Sequence, residues 1–248
     1  MIIPIEEITA LSLLYHINSE PWLNIEAYQG DGYEVEYKTM AGPGDARALP
    51  APQETPLMKL IRSRESCRQY QPRTMSQGTL STLLAGGYGV SRLSQLPDSM
   101  SVLFRTVPSA GALYPLELYI VTENVEELPD GLHHYKIRDH ALELIKDKAE
   151  AAELRNALLT EPFIQNANLV IYLAAVFART QKKYGPRGYR YILFEAGHVA
   201  QNICLLAAEQ GLGSLCMGGF IDSKLNRLLG LDGAHEAVVY SVAVGHLT

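Results

Sequence analysis

Apolar residues recur along this chain with two different periods, and the alternation between them predicts interleaved helices and strands. Helical spacing runs over Ile5 to Ile17, Pro56 to Ser63 and Ser76 to Ala85. The apolar, β-rich run Leu116 to Thr122 (LELYIVT) reads as a buried strand. A hairpin follows, with arms at His133 to Ile137 and Ala141 to Ile145 and a turn at Arg138-Asp139-His140; Lys148 to Leu159 then has helical composition. Asn168 to Phe177 is another apolar strand, and Tyr189 to Gln210 is a long helix stopped by Gly211. Apolar positions spread around the wheel of that helix, which predicts burial on most sides, in a core or between two subunits. Strands at Ser214 to Gly218 and Ala237 to Val244, with the helix Ser223 to Leu229 between them, complete an α+β pattern.

The pattern changes near residue 55. Ala41 to Pro56 (AGPGDARALPAPQETP) is crowded with Gly, Pro and Ala, as a connector is. Residues 1–54 therefore read as an N-terminal extension and linker, and residues 55–248 as the main domain. Within the extension, the helix Ile5 to Ile17 and the alternation from Tyr33 to Tyr37 predict order against something larger.

Composition narrows the function. A chain of 248 residues with 47% hydrophobic and 19% charged residues buries a large core without help from metals or disulfides. A net charge of -6 argues against nucleic acid, whose affinity is carried by clustered Lys and Arg. Cys67, Cys204 and Cys216 stand far apart, form no C-x-x-C pair for zinc or a redox disulfide, and suit a reducing cytoplasm. The apolar run Leu169 to Ala178 is about half the roughly 20 residues needed to span a bilayer, and Met1 to Ala10 is acidic where a signal peptide is basic. The expectation is a cytoplasmic protein with neither membrane nor nucleic-acid partners and no metal.

Three segments carry candidate chemistry. In Arg64-Glu65-Ser66-Cys67-Arg68-Gln69-Tyr70, two guanidinium groups flank a hydroxyl at a helix end, a set of charge-assisted donors for a phosphate. In Val107-Pro108-Ser109-Ala110-Gly111-Ala112-Leu113-Tyr114-Pro115, small residues let the backbone approach a flat ligand, and Ser109 is placed to cap the turn or bond the ligand. Gly218-Gly219, after Met217 at a strand end, leaves room for a ring system in the same way. Each segment alone also fits an ordinary surface loop or turn.

Together and in this order, the segments resemble the nitroreductase superfamily, and within it the SagB-type or McbC-like dehydrogenases, over roughly residues 57–246. The most specific blocks are Arg64-x-Ser66-x-Arg68-x-Tyr70, Pro108 to Pro115, and Lys183-Tyr184-Gly185-Pro186-Arg187-Gly188-Tyr189-Arg190-Tyr191 leading into Glu195-Ala196-Gly197-His198-Val199-Ala200-Gln201-Asn202. Leu14-Tyr15-His16 also resembles the start of these proteins. The resemblance implies a three-layer α+β fold with a central, mainly antiparallel sheet flanked by helices, and FMN bound at a homodimer interface. It assigns Arg64, Ser66 and Arg68 to the FMN phosphate and ribityl chain. Pro108, Ser109, Ala110 and Gly111 fall along the isoalloxazine, and Met217, Gly218 and Gly219 near its N5 edge. Many nitroreductases add a basic pair near the C-terminus, where this chain has Val244-Gly245-His246-Leu247-Thr248. Arg64 and Arg68, with Arg187 or Arg190, are expected to serve instead.

In the azoline-oxidising relatives a Lys-Tyr pair at the place of Lys183-Tyr184 is associated with catalysis. Oxidising a thiazoline or oxazoline to the azole removes a Cα proton and transfers hydride from Cβ to the flavin, so a base is needed. An ammonium beside a phenol favours loss of the phenolic proton, which makes Tyr184 a base or proton relay with Lys183 as its partner. Taken alone, Lys182-Lys183-Tyr184 reads as an exposed loop. Glu195, His198 and Asn202 read as structural polar groups in an apolar helix, His133, His134 and His140 as hairpin surface, and Cys216 as a small buried hydrophobe.

The resulting expectation is an FMN-dependent dehydrogenase acting on a peptide-derived or carrier-bound heterocycle in natural-product biosynthesis, with possible partners in a biosynthetic complex. The competing readings are an NAD(P)H-dependent nitroreductase or quinone reductase, and a non-catalytic scaffold subunit of such a complex.

Overall fold

The computed structural model describes residues 5–21, 37, 38, 40, 46–95 and 101–248. In chain order the helices are α1 (Ile5–Asn18), α2 (Pro56–Ser63), α3 (Gln77–Tyr88), α4 (Lys148–Arg155), α5 (Phe177–Tyr184), α6 (Arg187–Glu209) and α7 (Asp222–Leu229). The strands are β1 (Tyr70–Gln71), β2 (Val90–Gln95), β3 (Ser101–Arg105), β4 (Leu116–Thr122), β5 (Gly131–Lys136), β6 (Ala141–Asp147), β7 (Leu169–Val176), β8 (Leu212–Met217) and β9 (Glu236–Leu247).

β7 is apolar along its whole length, and only a strand covered on both faces can bury such a run. It lies mid-sheet, with Ile171 opposite Ile120 of β4 on one side and Val242 of β9 on the other. From β4 the sheet continues through β5 to β6, while β9 also pairs with β8 and β1; all these pairings are antiparallel. Leu169, Ile171 and Leu173 face Leu83 and Leu84 of α3 and Ile192, Val199 and Ile203 of α6. Val170, Tyr172 and Ala174 face the other way, toward Leu154 of α4 and Leu225 and Leu229 of α7. The period of two along β7 thus splits the core into two halves, and the result is the expected three layers with a mainly antiparallel sheet.

Helix ends follow their local chemistry. Thr55 caps α2 by accepting from the Met58 N–H, with Pro56 at the first turn. Gly211 takes φ +69 after α6, as its place behind the helix predicts. The break between α5 and α6 falls at Gly185 (φ +58).

Helix α6 is long and apolar enough to cross a membrane by length and composition alone, yet Ile192, Glu195, Val199 and Ile203 are among its residues buried in the fold. Helix α1 docks on the main body: the buried His16 meets the Tyr189 hydroxyl at 3.1 Å and packs edge-on against Phe177. Glu20, just after α1, accepts from both the backbone N–H and the hydroxyl of Ser223 at the start of α7. A cavity of about 410 Å³ lies between α1 and α5, lined by His16, Phe177, Gln181, Tyr189 and His235.

Two local expectations need correction, and one pair of strands had no expectation. Residues 177–184 form a helix, not a strand end followed by a loop, because Ala178, Arg179, Gln181, Lys182 and Lys183 are good helix formers outside the sheet. The β2–β3 hairpin left no apolar period to read because most of its side chains face water. His133 is 1% exposed, against Thr122, and His134 is half-buried on Glu117 at 3.0 Å; of the three histidines only His140 is exposed. Their strand alternates across a sheet covered on both sides there. Of the alternation predicted from Tyr33 to Tyr37, all but Tyr37 lies outside the described residues, as do the first residues of the connector.

Candidate functional site

The chain leaving α2 is laid along the start of β8. Arg64 ends the helix, its N–H donating to the Leu60 carbonyl at 3.1 Å, and Ser66 then bridges in parallel to Ser214, where the Cys67 N–H donates to the Ser214 carbonyl at 2.9 Å. Between these stretches opens a cavity of about 200 Å³ lined by Ser63, Arg64, Glu65, Gly211, Ser214 and Leu247. Arg64 is half-buried in this lining, whereas Ser66 and Arg68 are exposed beside it. Leu247 closes the cavity with an apolar side chain at the place where a C-terminal cation was missed in the sequence.

A second group forms around Gly111. Ala110–Ala112 is a single 3-10 turn in which Gly111 takes φ +65, a left-handed conformation that favours glycine. A Cβ there would lie 2.8 Å from the Tyr184 hydroxyl and 2.9 Å from Lys183 Nζ. The glycine-containing segment and the Lys-Tyr pair, 72 positions apart in sequence, therefore meet, with Lys183 and Tyr184 on the last turn of α5. The Lys183 ammonium lies 5.4 Å from the centre of the Tyr184 ring, and the Tyr191 ring packs edge-on against Tyr184 at 5.1 Å. Pro108 and Gly111 are exposed, leaving the backbone of this segment open on one side.

Behind the segment sits a buried polar network that the sequence reading understated. Ser109 accepts from the Tyr114 N–H at 2.9 Å and also hydrogen-bonds Glu195 of α6. The Tyr88 hydroxyl of α3 donates to Glu195 at 2.6 Å. Burial pushes the Glu195 carboxyl above the usual range, while bonds from Ser109 and Tyr88 and the charge of Arg105 pull it back. Arg105 stacks over the rings of Tyr88 (4.2 Å) and Tyr114 (4.9 Å). Asn202 donates to the Gly86 carbonyl at 3.2 Å, and His198 is exposed. Glu195 and Asn202 thus tie α6 to α3, as a structural reading expects. Nothing in the sequence spacing singled out Tyr88 or Arg105; they come to the network from α3 and β3.

Met217 is buried at the end of β8, its carbonyl accepting from Ser241 at 3.0 Å, and Gly218 is exposed just beyond it. The Gly219 carbonyl accepts from the Leu159 N–H. The candidate residues thus fall into a β8 group, with Arg64, Ser66 and Met217, and an α5 group, with Ser109, Gly111, Lys183 and Tyr184.

A mainly antiparallel sheet between helical layers, carrying a small cavity lined by Arg64, Glu65 and two serines and an open glycine segment, is the frame of an oxidoreductase of nitroreductase-like fold. The chain belongs to the nitroreductase family, whose model matches residues 61–246. It is 38% identical over 181 residues to a protein described as a candidate nitroreductase, MJ1384, of Methanocaldococcus jannaschii, covering 73% of this chain and 87% of that one. It is 33% identical over 146 residues to the microcin B17-processing protein McbC of Escherichia coli, covering 55% of this chain and 52% of McbC. Among solved structures, one chain of the E. coli microcin synthetase McbBCD complex with truncated pro-MccB17 bound superposes with a TM-score of 0.68 at 22% identity, covering 98% of this chain and 94% of that one.

Proposed function

We propose that this chain is an FMN-dependent dehydrogenase of the SagB type, a homodimer with FMN at its interface, that oxidises a peptide-derived thiazoline or oxazoline to the azole. The observation that carries the reading is the meeting of Lys183 and Tyr184 over Gly111. It sets an ammonium and a phenol beside an open backbone segment suited to a flat ring.

The residues fit the cofactor. The Arg64 guanidinium in the cavity lining, followed along the chain by the exposed Ser66 hydroxyl and Arg68 guanidinium, supplies charge-assisted donors for a phosphate monoester, with Glu65 also in the lining. Pro108 to Gly111 present backbone without bulky side chains, and Gly218 does the same after β8. When bound, FMN supplies the hydride acceptor, so the protein contributes position and proton handling.

Each remaining task falls to a residue of the chain. Tyr184 Oη, acting as a phenolate with the Lys183 ammonium as its counter-charge, accepts the proton from the substrate's Cα and becomes a neutral phenol. The Glu195, Tyr88 and Ser109 network fixes the segment against which substrate and flavin stack. The alignment to McbC, named for processing microcin B17, supports a peptide-derived substrate, and the solved McbBCD assembly that bears its name suggests action within a complex, although the chain spans about half of McbC's length.

The M. jannaschii relative favours a second reading, reduction of nitro or quinone substrates by NAD(P)H. The two run the flavin in opposite directions. Anaerobic mixing of the yellow protein with an azoline peptide is expected to bleach it, and NADPH is not. Rapid bleaching by NADPH with no response to azolines overturns the proposal in favour of the reductase. A colourless protein that refuses FMN yet is needed for complex assembly overturns both in favour of a scaffold.

A further inference from the structure

Two of the three cysteines that stand far apart in sequence are neighbours in space. Cys204 on α6 and Cys216 on β8, 12 positions apart, bring their sulfurs to 3.4 Å, in hydrogen-bond contact. The third, Cys67, is occupied elsewhere, its thiol donating to the Gln69 carbonyl at 2.9 Å. We propose that Cys204 and Cys216 are a redox-modification site, closing reversibly into a disulfide that joins α6 to β8 when the protein meets a peroxide.

A sulfur–sulfur bond is about 2.04 Å long, so the two atoms need to approach by little more than an ångström. The surroundings distinguish the two thiols. Hydrogen bonds from Cys216 and Ser214, with the Arg64 guanidinium nearby, hold Cys204 below the usual thiol range against the effect of burial. Cys216 is pushed the other way, by Cys204 first and then by burial. A thiol with thiolate character beside a second thiol is the arrangement of a peroxide-reactive cysteine and its resolving partner.

Access does not depend on the exposure of Cys204 itself, which is 3%. Ser214 touches Cys204 and, with Arg64, lines the cavity at the start of β8, and Cys216 is half-buried. Cys216, the half-buried member, gives the pair its contact with solvent.

The chemistry balances. The Cys204 thiolate attacks one peroxide oxygen, breaking the O–O bond to give a sulfenic acid, and the departing hydroxide takes up a proton as water. The Cys216 sulfur then displaces the sulfenic hydroxyl as a second water, forming the S–S bond. Overall two thiols lose two hydrogens and two electrons, and hydrogen peroxide is reduced to two waters. A dithiol reductant such as dithiothreitol reverses the reaction. Neither step involves a flavin, so the result is independent of the cofactor assignment.

The test is thiol counting on the full chain, reduced, desalted and then exposed to hydrogen peroxide. The wild type is expected to lose two of its three thiols, to yield one disulfide-linked peptide pair containing Cys204 and Cys216, and to regain both thiols with dithiothreitol. The Cys67→Ser variant is expected to behave in the same way, and Cys216→Ser to form no internal disulfide. Retention of all three thiols, oxidation to sulfinic acid without a disulfide, or a link that includes Cys67 each overturns the proposal. The peptide mapping is done on the wild type, so the outcome does not depend on a variant that folds.

Discussion

The Tyr88 hydroxyl donates a 2.6 Å hydrogen bond to the Glu195 carboxyl, joining α3 to α6 inside the core. Glu195 is 2% exposed and Tyr88 fully buried, so neither finds water as a substitute partner. The Tyr88→Phe variant keeps the ring and removes the donor, and leaving a buried carboxyl short of a partner costs about 1–3 kcal/mol. Urea unfolding is expected to show a lower midpoint at unchanged slope. An unchanged midpoint means that the carboxyl is satisfied without Tyr88.

Gly111→Ala is expected to be far more damaging than its size suggests. The added Cβ lands on Tyr184 Oη and Lys183 Nζ, and a left-handed alanine adds about 1–2 kcal/mol of backbone strain. We expect azoline oxidation to fall by about tenfold or more, since displacing a proton-transfer group removes part of the 10²–10⁴-fold it supplies. Activity assays and FMN absorbance on the same sample separate displacement of the pair from loss of cofactor.

Tyr184→Phe tests the proton acceptor directly. Removing one hydroxyl leaves the packing against Tyr191 in place, so FMN content and melting temperature are expected to hold. Turnover is expected to drop by about 10²–10⁴-fold, the usual contribution of a positioned acid or base. Full turnover in this variant removes Tyr184 from the mechanism.

Arg64→Ala addresses cofactor retention. Arg64 lines the small cavity while Arg68 is exposed beside it, so Arg64→Ala is expected to lose FMN on gel filtration and Arg68→Ala to lose less. Equal retention by Arg64→Ala and the wild type overturns its leading role.

Asp222 gives a pH signature. Burial first, and then the charge of Glu20, push its carboxyl from 3.8 up to about 6. The folded state therefore holds this proton more tightly than the unfolded chain does. Stability from this group is complete below pH 3.8 and is lost as pH rises through about 6. Asp222→Asn, which removes the charge, is expected to melt higher than the wild type above about pH 7, the advantage fading below about pH 4. Melting curves across that range check the sign.

Much of the architecture was legible because burial writes itself into spacing. The strand at 116–122 and the helix at 56–63 fall where the apolar pattern set them, and β7 was recognisable from a run too apolar for any half-exposed strand. The β2–β3 hairpin was not, since β2 is exposed at all but Ser94 and β3 is half-buried from Val102 to Arg105, so neither alternates. Residue types proposed for the site were also legible, and Lys183, Tyr184 and Gly111 do meet. Their support was not. Tyr88 and Arg105 reach the Ser109 segment from separate elements, and a polar contact across long sequence separation leaves no local trace. The same holds for Cys204 and Cys216, read as separate thiols until the fold set α6 beside β8.

Strand β9 hydrogen-bonds with β7, β8 and β1, so the seam of the sheet is drawn by residues 236–247. Among the described strands this one comes last in the chain, and until it is in place β8 has no paired strand to hold it in the sheet. The nascent chain must therefore wait with β7 bare along one edge, an exposed apolar margin open to aggregation or chaperone capture. The sheet therefore closes only when residues 236–247 take their place, however early the helices form.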